Sequence, residues 1–354
     1  MGSFAFIIHP IEVKDVARKF PVAKYLPPGL VERALGLLPP FKVSKITGIQ
    51  SNYGSAEGWF ISCPLTPHMM FKLPEKRVMG KIIDAAKVAQ DLGAKVVGLG
   101  AFTSVVGDAG ITVRDNVDIA VTTGNSYTVA TAIEGTLRAA ALMDIDMETA
   151  NVLALGATGS IGRVLSLILS DKGCNLTLAA RNIARLEKVS SLVTRQTGMV
   201  PRITSDIKQA VRRADVILCV SSSIDALIQP EDLKPGALVC DVARPRNVSV
   251  EVKKRRNDVL VIEGGIVKVP GDVKFNFDFG FPGGLSYACM AETMILALDE
   301  KYEDWSLGRE LTVGQVNGIA RLAKKHGFEL AGFRSFERPV TAEEIELVRQ
   351  NARS

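Results

Sequence analysis

Apolar and polar positions change rhythm near residue 150. Before it the pattern is mixed. Residues 4–8 read as a short strand, 13–20 as a helix, and the proline pairs at 27–28 and 39–40 bracket another helix. Residues 43–49 and 59–62 read as strands on either side of the turn-rich run Ser51-Asn52-Tyr53-Gly54-Ser55. Between 75 and 92, Val78, Ile82, Ala85, Ala86 and Ala89 recur at helical spacing; Gly93 stops that helix and 96–99 forms a strand. This alternation predicts an α/β domain of its own.

From Asn151 the rhythm becomes regular. Short apolar runs at 152–155, 176–180, 216–220, 237–242 and 259–262 alternate with helical or loop segments, among them 160–169 and 183–195. Strands that are apolar on both faces and joined by helices imply a parallel sheet with both faces covered. The predicted fold class is therefore α/β: a doubly wound Rossmann sheet, a second α/β domain, and C-terminal helices packing back on it. After the glycine-rich stretch 280–284, helices are expected at 286–300, 313–325 and 341–351. The expected division is an N-terminal α/β substrate domain over 1–125, a dinucleotide-binding domain over 126–285, and a helical segment over 286–354 bordering the cleft.

Composition narrows the function classes. A chain of 354 residues suits two domains, and 47% hydrophobic with 23% charged residues is an ordinary globular balance. The net charge of +5 is too small to argue for nucleic acid and leaves room for an acidic substrate or carrier. The basic run Lys253-Lys254-Arg255-Arg256 reads first as a solvated helix end. Five scattered cysteines without a CxxC pair argue against a disulfide framework and point to a reducing, cytoplasmic setting. His9, His68 and His326 are isolated, so no metal site is expected. The first residues show no basic leader or cleavage signal, and no apolar run is long enough to span a bilayer. Peripheral membrane contact stays open.

The cofactor signal is the stretch from Val152 to Gly162, which reads strand, glycine-rich turn, helix start. Gly156, Gly159 and Gly162 let the backbone turn sharply and approach a pyrophosphate, which then meets free N–H groups at the positive helix end. Thr158, Ser160 and Ile161 complete this candidate cradle. The spacing is GxxGxxG rather than GxGxxG, so its setting carries much of the weight. An NAD-binding unit usually ends its second strand on an acidic residue. Here Arg181 stands there, with Arg185 one turn later. Guanidinium groups suit a 2′-phosphate, and a helix start otherwise disfavours cations, so NADPH is expected over NADH. Ser221 follows a later strand, where a loop would border the nicotinamide.

Cys289 follows a glycine-rich loop early in a predicted helix, where a thiol can shift toward thiolate. From spacing alone, a buried core thiol is the better reading. Cys219 and Cys240 lie within apolar strands; Cys63 ends a strand and could line a cleft. The hydroxyl and amide groups of 122–128, Asn125 and Ser126 among them, serve equally as helix caps or as hydrogen-bonding groups for substrate.

Taken in order, several segments carry a family resemblance. They are His9 after a strand, Ser62-Cys63, Gly100-Ala101-Phe102-Thr103-Ser104, Thr122-Thr123-Gly124-Asn125, the 156–162 turn, Glu263-Gly264-Gly265, Ala288-Cys289-Met290-Ala291-Glu292, and His326-Gly327-Phe328. Across nearly the whole chain this set resembles the long-chain acyl-(acyl-carrier-protein) reductases. The resemblance implies NADPH-dependent reduction of fatty acyl thioesters to aldehydes. It makes Cys289 the nucleophile and reverses the reading given by spacing; Asn125 and Ser126 are expected to position the carbonyl. The loop 268–284 and the longer tail depart from the family, which leaves acyl-carrier protein or acyl-CoA as the donor. More distantly, 100–104 with 123–127 resembles shikimate and quinate dehydrogenases. The rival readings are therefore an NADP-dependent hydroxy-acid or amino-acid dehydrogenase and a non-catalytic NADP(H)-binding module.

Overall fold

Six short strands between residues 151 and 263 lie side by side and all parallel. In space they run Arg202–Thr204, Asn175–Ala179, Asn151–Leu155, Val216–Cys219, Leu238–Asp241, Leu260–Glu263. The chain starts at the centre, winds outward one way, returns, and winds out the other way. The order reverses between Asn151–Leu155 and Val216–Cys219, which makes the carboxyl ends of those two strands the ligand-binding point of such a sheet. Alternate residues serve opposite faces. Val152 and Ala154 join one apolar cluster; Leu153 and Leu155 join the other.

This computed structural model describes residues 1–223 and 225–353, which divide into two units. The parallel sheet belongs to the unit formed by Thr128–Ile266, Leu311–Val316 and the chain from Leu330 onward. The helix Ala342–Asn351 closes it: Thr341 caps the helix start, and Ile345 and Val348 enter the core.

The other unit comprises Met1–Tyr127, Val267–Glu310 and Asn317–Glu329. Its sheet has the order Gly271–Lys274, Phe41–Ser51, Gly54–Ser62, Gly2–Ile8, Val96–Leu99, Ala120–Thr122. The first two junctions are antiparallel and the last three parallel. The helix Ala288–Leu298 seats on this sheet because two glycines leave room. A Cβ on Gly98 would lie 2.1 Å from Thr293 Oγ1, and one on Gly2 would lie 1.9 Å from the Ala297 carbonyl oxygen.

Three expectations change. The boundary expected at 285 falls after Ile266, because Gly271–Lys274 pairs with Phe41–Ser51 and the 288–298 helix belongs to the first sheet. The expected 286–354 segment is accordingly not one body, since the 288–298 and 342–351 helices lie in different units. The single helix expected at 13–20 is two 3-10 turns, Val13–Arg18 and Pro21–Tyr25, because Pro21 supplies no N–H to continue the first and is pre-set to start the second.

Candidate functional site

The strand Asn151–Leu155 ends at Gly156, whose φ of 93° is open to glycine at little cost. A side chain there would also strike Ser221, its Cβ falling 2.7 Å from the Ser221 nitrogen. Gly162 is equally constrained: a Cβ would lie 2.3 Å from the Gly156 carbonyl oxygen. Gly159 differs. A Cβ there would meet nothing closer than 3.5 Å, so the protein itself does not demand a glycine. Its bare Cα opens the mouth of the turn just before the helix Ser160–Ser170. The Ser160 hydroxyl at that helix start is buried and has no partner among the described residues. A glycine without an internal reason and an orphaned hydroxyl at a helix N-terminus fit a phosphate-bearing cofactor.

Arg181 and Arg185 flank the next helix start, where Asn182 accepts a hydrogen bond from the Arg185 N–H at 2.9 Å. Both arginines are exposed, and neither has an acidic partner among the described residues. Ser221 is held by Asn247, whose Oδ1 accepts its N–H at 3.1 Å. Asp241 fixes the neighbouring loop by accepting from the N–H groups of Ala243 and Val248, at 3.1 and 3.0 Å. Burial raises its carboxyl to about 6, against the pull of Arg244 and those N–H groups.

In the first unit the candidate residues gather around Cys289. Every residue of the helix Ala288–Leu298 is buried except Cys289, which is half-exposed in the first turn. The other four thiols are buried, and burial pushes Cys63 and Cys240 up to about 12 and Cys174 to about 11. Cys63, which the sequence allowed to line a cleft, is fully enclosed.

The 122–127 segment lies directly on Cys289. Gly124, at φ 75°, has its bare Cα so close that a Cβ would fall 2.4 Å from both Cα and Cβ of Cys289. Asn125 follows, half-buried, with no side-chain hydrogen bond among the described residues. Ser126 is fully buried and its hydroxyl is committed both ways. It donates to Glu292 Oε2 at 2.6 Å and accepts from Trp305 Nε1 at 2.9 Å.

Glu292 is the residue the sequence reading did not single out for a role. It is wholly buried, one helical turn beyond Cys289, and four donors converge on its carboxylate. Thr122 and Ser306 hydroxyls donate to Oε1 at 2.5 and 2.7 Å; the Ser126 hydroxyl and the Tyr127 N–H donate to Oε2 at 2.6 and 2.8 Å. The carboxylate thus caps the start of the helix Asn125–Leu142, where negative charge is favoured. It locks the Cys289 turn to the segment carrying Asn125. The available signal was a glutamate inside an otherwise apolar helix. His9 is a second lock: its Nε2 accepts the Phe102 N–H at 3.2 Å.

The strand order and glycine turn define a Rossmann-type dinucleotide-binding chain. The pattern of the shikimate / quinate 5-dehydrogenase family matches residues 138–263, within the parallel-sheet unit. The long-chain acyl-[acyl-carrier-protein] reductase of Synechococcus elongatus is 27% identical over 340 residues, 90% of this chain and 95% of that protein. The aminotransferase PigE of a Serratia strain is 31% identical over 306 residues, 84% of this chain. The chain spans only 35% of the length of that relative. Among solved structures, dipicolinate synthase A chain from Bacillus subtilis aligns with a TM-score of 0.35 at 15% identity, covering 73% of this chain and 87% of that one, which is too loose to carry an argument. Together the fold and the sequence relatives support an NAD(P)-dependent reductase. Among the described residues, no helix is long and apolar enough to cross a membrane.

Proposed function

We propose that this chain reduces long-chain acyl thioesters, carried by acyl-carrier protein or coenzyme A, to aldehydes with NADPH, through an acyl-enzyme on Cys289. The observation that carries the reading is the one accessible residue of a buried helix: a thiol, on a mount fixed by Glu292 and packed against the 124–125 segment, whose Asn125 amide has no side-chain hydrogen bond among the described residues. Extensive mutual coverage with the acyl-carrier-protein reductase supports the substrate class.

The chemistry follows from these groups. The Cys289 thiolate attacks the thioester carbonyl; its sulfur–carbon bond forms as the donor's carbon–sulfur bond breaks, and the departing thiolate takes up a proton. The Asn125 amide donates to the developing oxyanion in this reading. Ser126 and Glu292 act as positioning residues, since both are saturated with hydrogen bonds. In the parallel-sheet unit, Gly156, Thr158, Gly159, Ser160, Ile161 and Gly162 would hold the pyrophosphate, Ser221 would border the nicotinamide, and Arg181 and Arg185 would take the 2′-phosphate. NADPH, when bound, supplies the hydride that turns the acyl group into aldehyde, and Cys289 is released as thiolate.

The family match at 138–263 favours one second reading, a dehydrogenase of a small hydroxy acid, which would be indifferent to Cys289. One assay separates them: oxidation of NADPH or NADH with long-chain acyl-carrier protein, acyl-CoA or dehydroshikimate, with product analysis. Cys289→Ala is expected to abolish both aldehyde formation and covalent acyl labelling. Undiminished turnover of acyl thioesters by that variant removes Cys289 from the reaction.

A further inference from the structure

Seven large apolar side chains stand exposed within residues 20–38: Phe20, Val22, Tyr25, Leu26, Leu30, Leu37 and Leu38. Nineteen such side chains are exposed among the described residues, so more than a third fall in about a twentieth of the chain's length. That is a patch and not scatter. The helix Pro28–Leu37 explains it. Val31 and Leu35 turn inward to a small core with Val16 and Ala23. Leu30, Arg33, Ala34 and Leu37, spaced three and four apart, form a second face that is exposed throughout, with Leu37 81% accessible. A helix apolar on both faces calls for a second apolar neighbour.

Charge identifies the neighbour. Residues 18–45 hold six basic side chains, Arg18, Lys19, Lys24, Arg33, Lys42 and Lys45, against one acid, Glu32. Their net +5 equals the net charge of the entire chain. Arg18 pairs with Asp15 and Asp278, and Lys45 with Glu57, whereas Lys24, Arg33 and Lys42 have no acidic partner among the described residues. These bases alternate with the apolar groups along the segment. Such interleaving suits the boundary of an anionic bilayer, where apolar side chains enter the acyl region, ammonium and guanidinium groups meet phosphates, and a tyrosine sits at headgroup level. A folded acidic partner would instead need acids matched to each base.

We infer that residues 18–45 form a docking surface for an anionic lipid bilayer. A chain of contacts links the surface to the Cys289 turn. Arg18 reaches Asp278 at 3.4 Å in the loop that follows Gly271–Lys274. In that loop Phe279 meets Phe281, and Phe281 meets Tyr287, edge to face at 5.7 and 4.6 Å. Tyr287 caps the helix bearing Cys289. The docking does not depend on the thioester reading; that reading only supplies a lipid-soluble product for which it would be useful.

Flotation of the full chain with phosphatidylcholine vesicles, with and without phosphatidylglycerol, tests it. Binding is expected to the anionic vesicles and to fall with salt. The double variant Leu30→Glu, Leu37→Glu should bind about tenfold more weakly or worse. Lys24→Glu with Arg33→Glu should lose several-fold and much of the salt dependence. Leu142→Glu, at an exposed apolar site of the other unit, should bind as the parent does, and thermal melts check that each variant folds. Failure of the parent to float, equal flotation with neutral vesicles, or full binding by the Leu30/Leu37 variant overturns the inference. So does a parent that ignores vesicles but loses affinity for an acidic carrier protein when the patch is changed, which assigns the surface to a protein. None of these outcomes touches Cys289 turnover, so the two readings fail separately.

Discussion

The glycine turn at 156–162 and the Cys289 mount are built in opposite ways. The turn is nearly local. One strand, one loop and one helix start supply it, and its constraints are steric: Gly162 against the turn itself, and Gly156 against Ser221 at the end of the neighbouring strand, its one distant contact. The Cys289 mount is assembled from three separate stretches, 122–127 and, more than 160 residues on, 289–292 and 305–306, drawn together by one buried carboxylate. A local device tolerates changes elsewhere in the fold. An assembled one depends on every contact that closes it.

The sharpest way to break this comparison is Gly124→Ala. The added methyl would fall 2.4 Å from the Cys289 backbone, at a φ of 75° that also strains alanine. One side must move, and misplacement of a reacting group by about 1 Å costs roughly a hundredfold in rate. Acyl-thioester reduction should fall by at least about that factor while NADPH binding, read by fluorescence titration, stays near that of the parent. An active Gly124→Ala enzyme would mean that the close approach is irrelevant to the chemistry. Next comes Glu292→Gln. The side chain keeps its size, but its NH2 replaces one acceptor oxygen, so either two hydroxyls must turn their hydrogens away or the Tyr127 N–H loses its acceptor. Urea unfolding should show a loss of about 3 kcal/mol, with loss of activity in parallel.

The same contrast explains what could be read from the chain. The parallel sheet was legible because each strand is a short apolar run with both faces covered, and the turn because three glycines sit between a strand and a helix. The role proposed for Cys289 came only from family resemblance: in isolation an Ala-Cys-Met-Ala run looks like core, and its helix is core at every other position. Glu292 was present in the same motif, yet no linear pattern shows that Thr122, Ser126, Tyr127 and Ser306 would surround it. The chain's return to the first sheet at Gly271–Lys274 was hidden for a similar reason, since a short strand of mostly exposed residues declares no partner.

The glycine turn offers an internal control of intermediate size. Gly156→Ala places a methyl against Ser221 at positive φ and should cost stability of about 1–3 kcal/mol. Gly159→Ala meets only ordinary contacts, so its melting temperature should hold while its affinity for NADPH falls. Equal thermal losses in both variants would show that Gly159 serves the fold; unchanged affinity in the second would remove it from the cofactor site.

The smallest effect concerns the other lock in the first unit. His9 Nε2 accepts the Phe102 N–H, and Nδ1 lies 3.1 Å from the Pro10 carbonyl oxygen, to which it donates in the neutral ring. Protonation would aim a second N–H at one already pointing inward. Burial dominates in lowering the pKa from 6.5 to about 4, against the Pro10 carbonyl and Asp15, which favour the charged ring. The sign follows from linkage. The unfolded chain takes up this proton more readily than the folded one, so the contribution is whole above pH 6.5 and is lost as pH falls toward 4. His9 as a residue is only partly buried, which limits the loss to about 2 kcal/mol or less. Denaturation followed from pH 7 to 4 should therefore decline more steeply for the parent than for His9→Gln. Parallel curves would show that the ring can take its proton in place, and that the Phe102 contact holds the 100–104 turn without fixing the charge of His9.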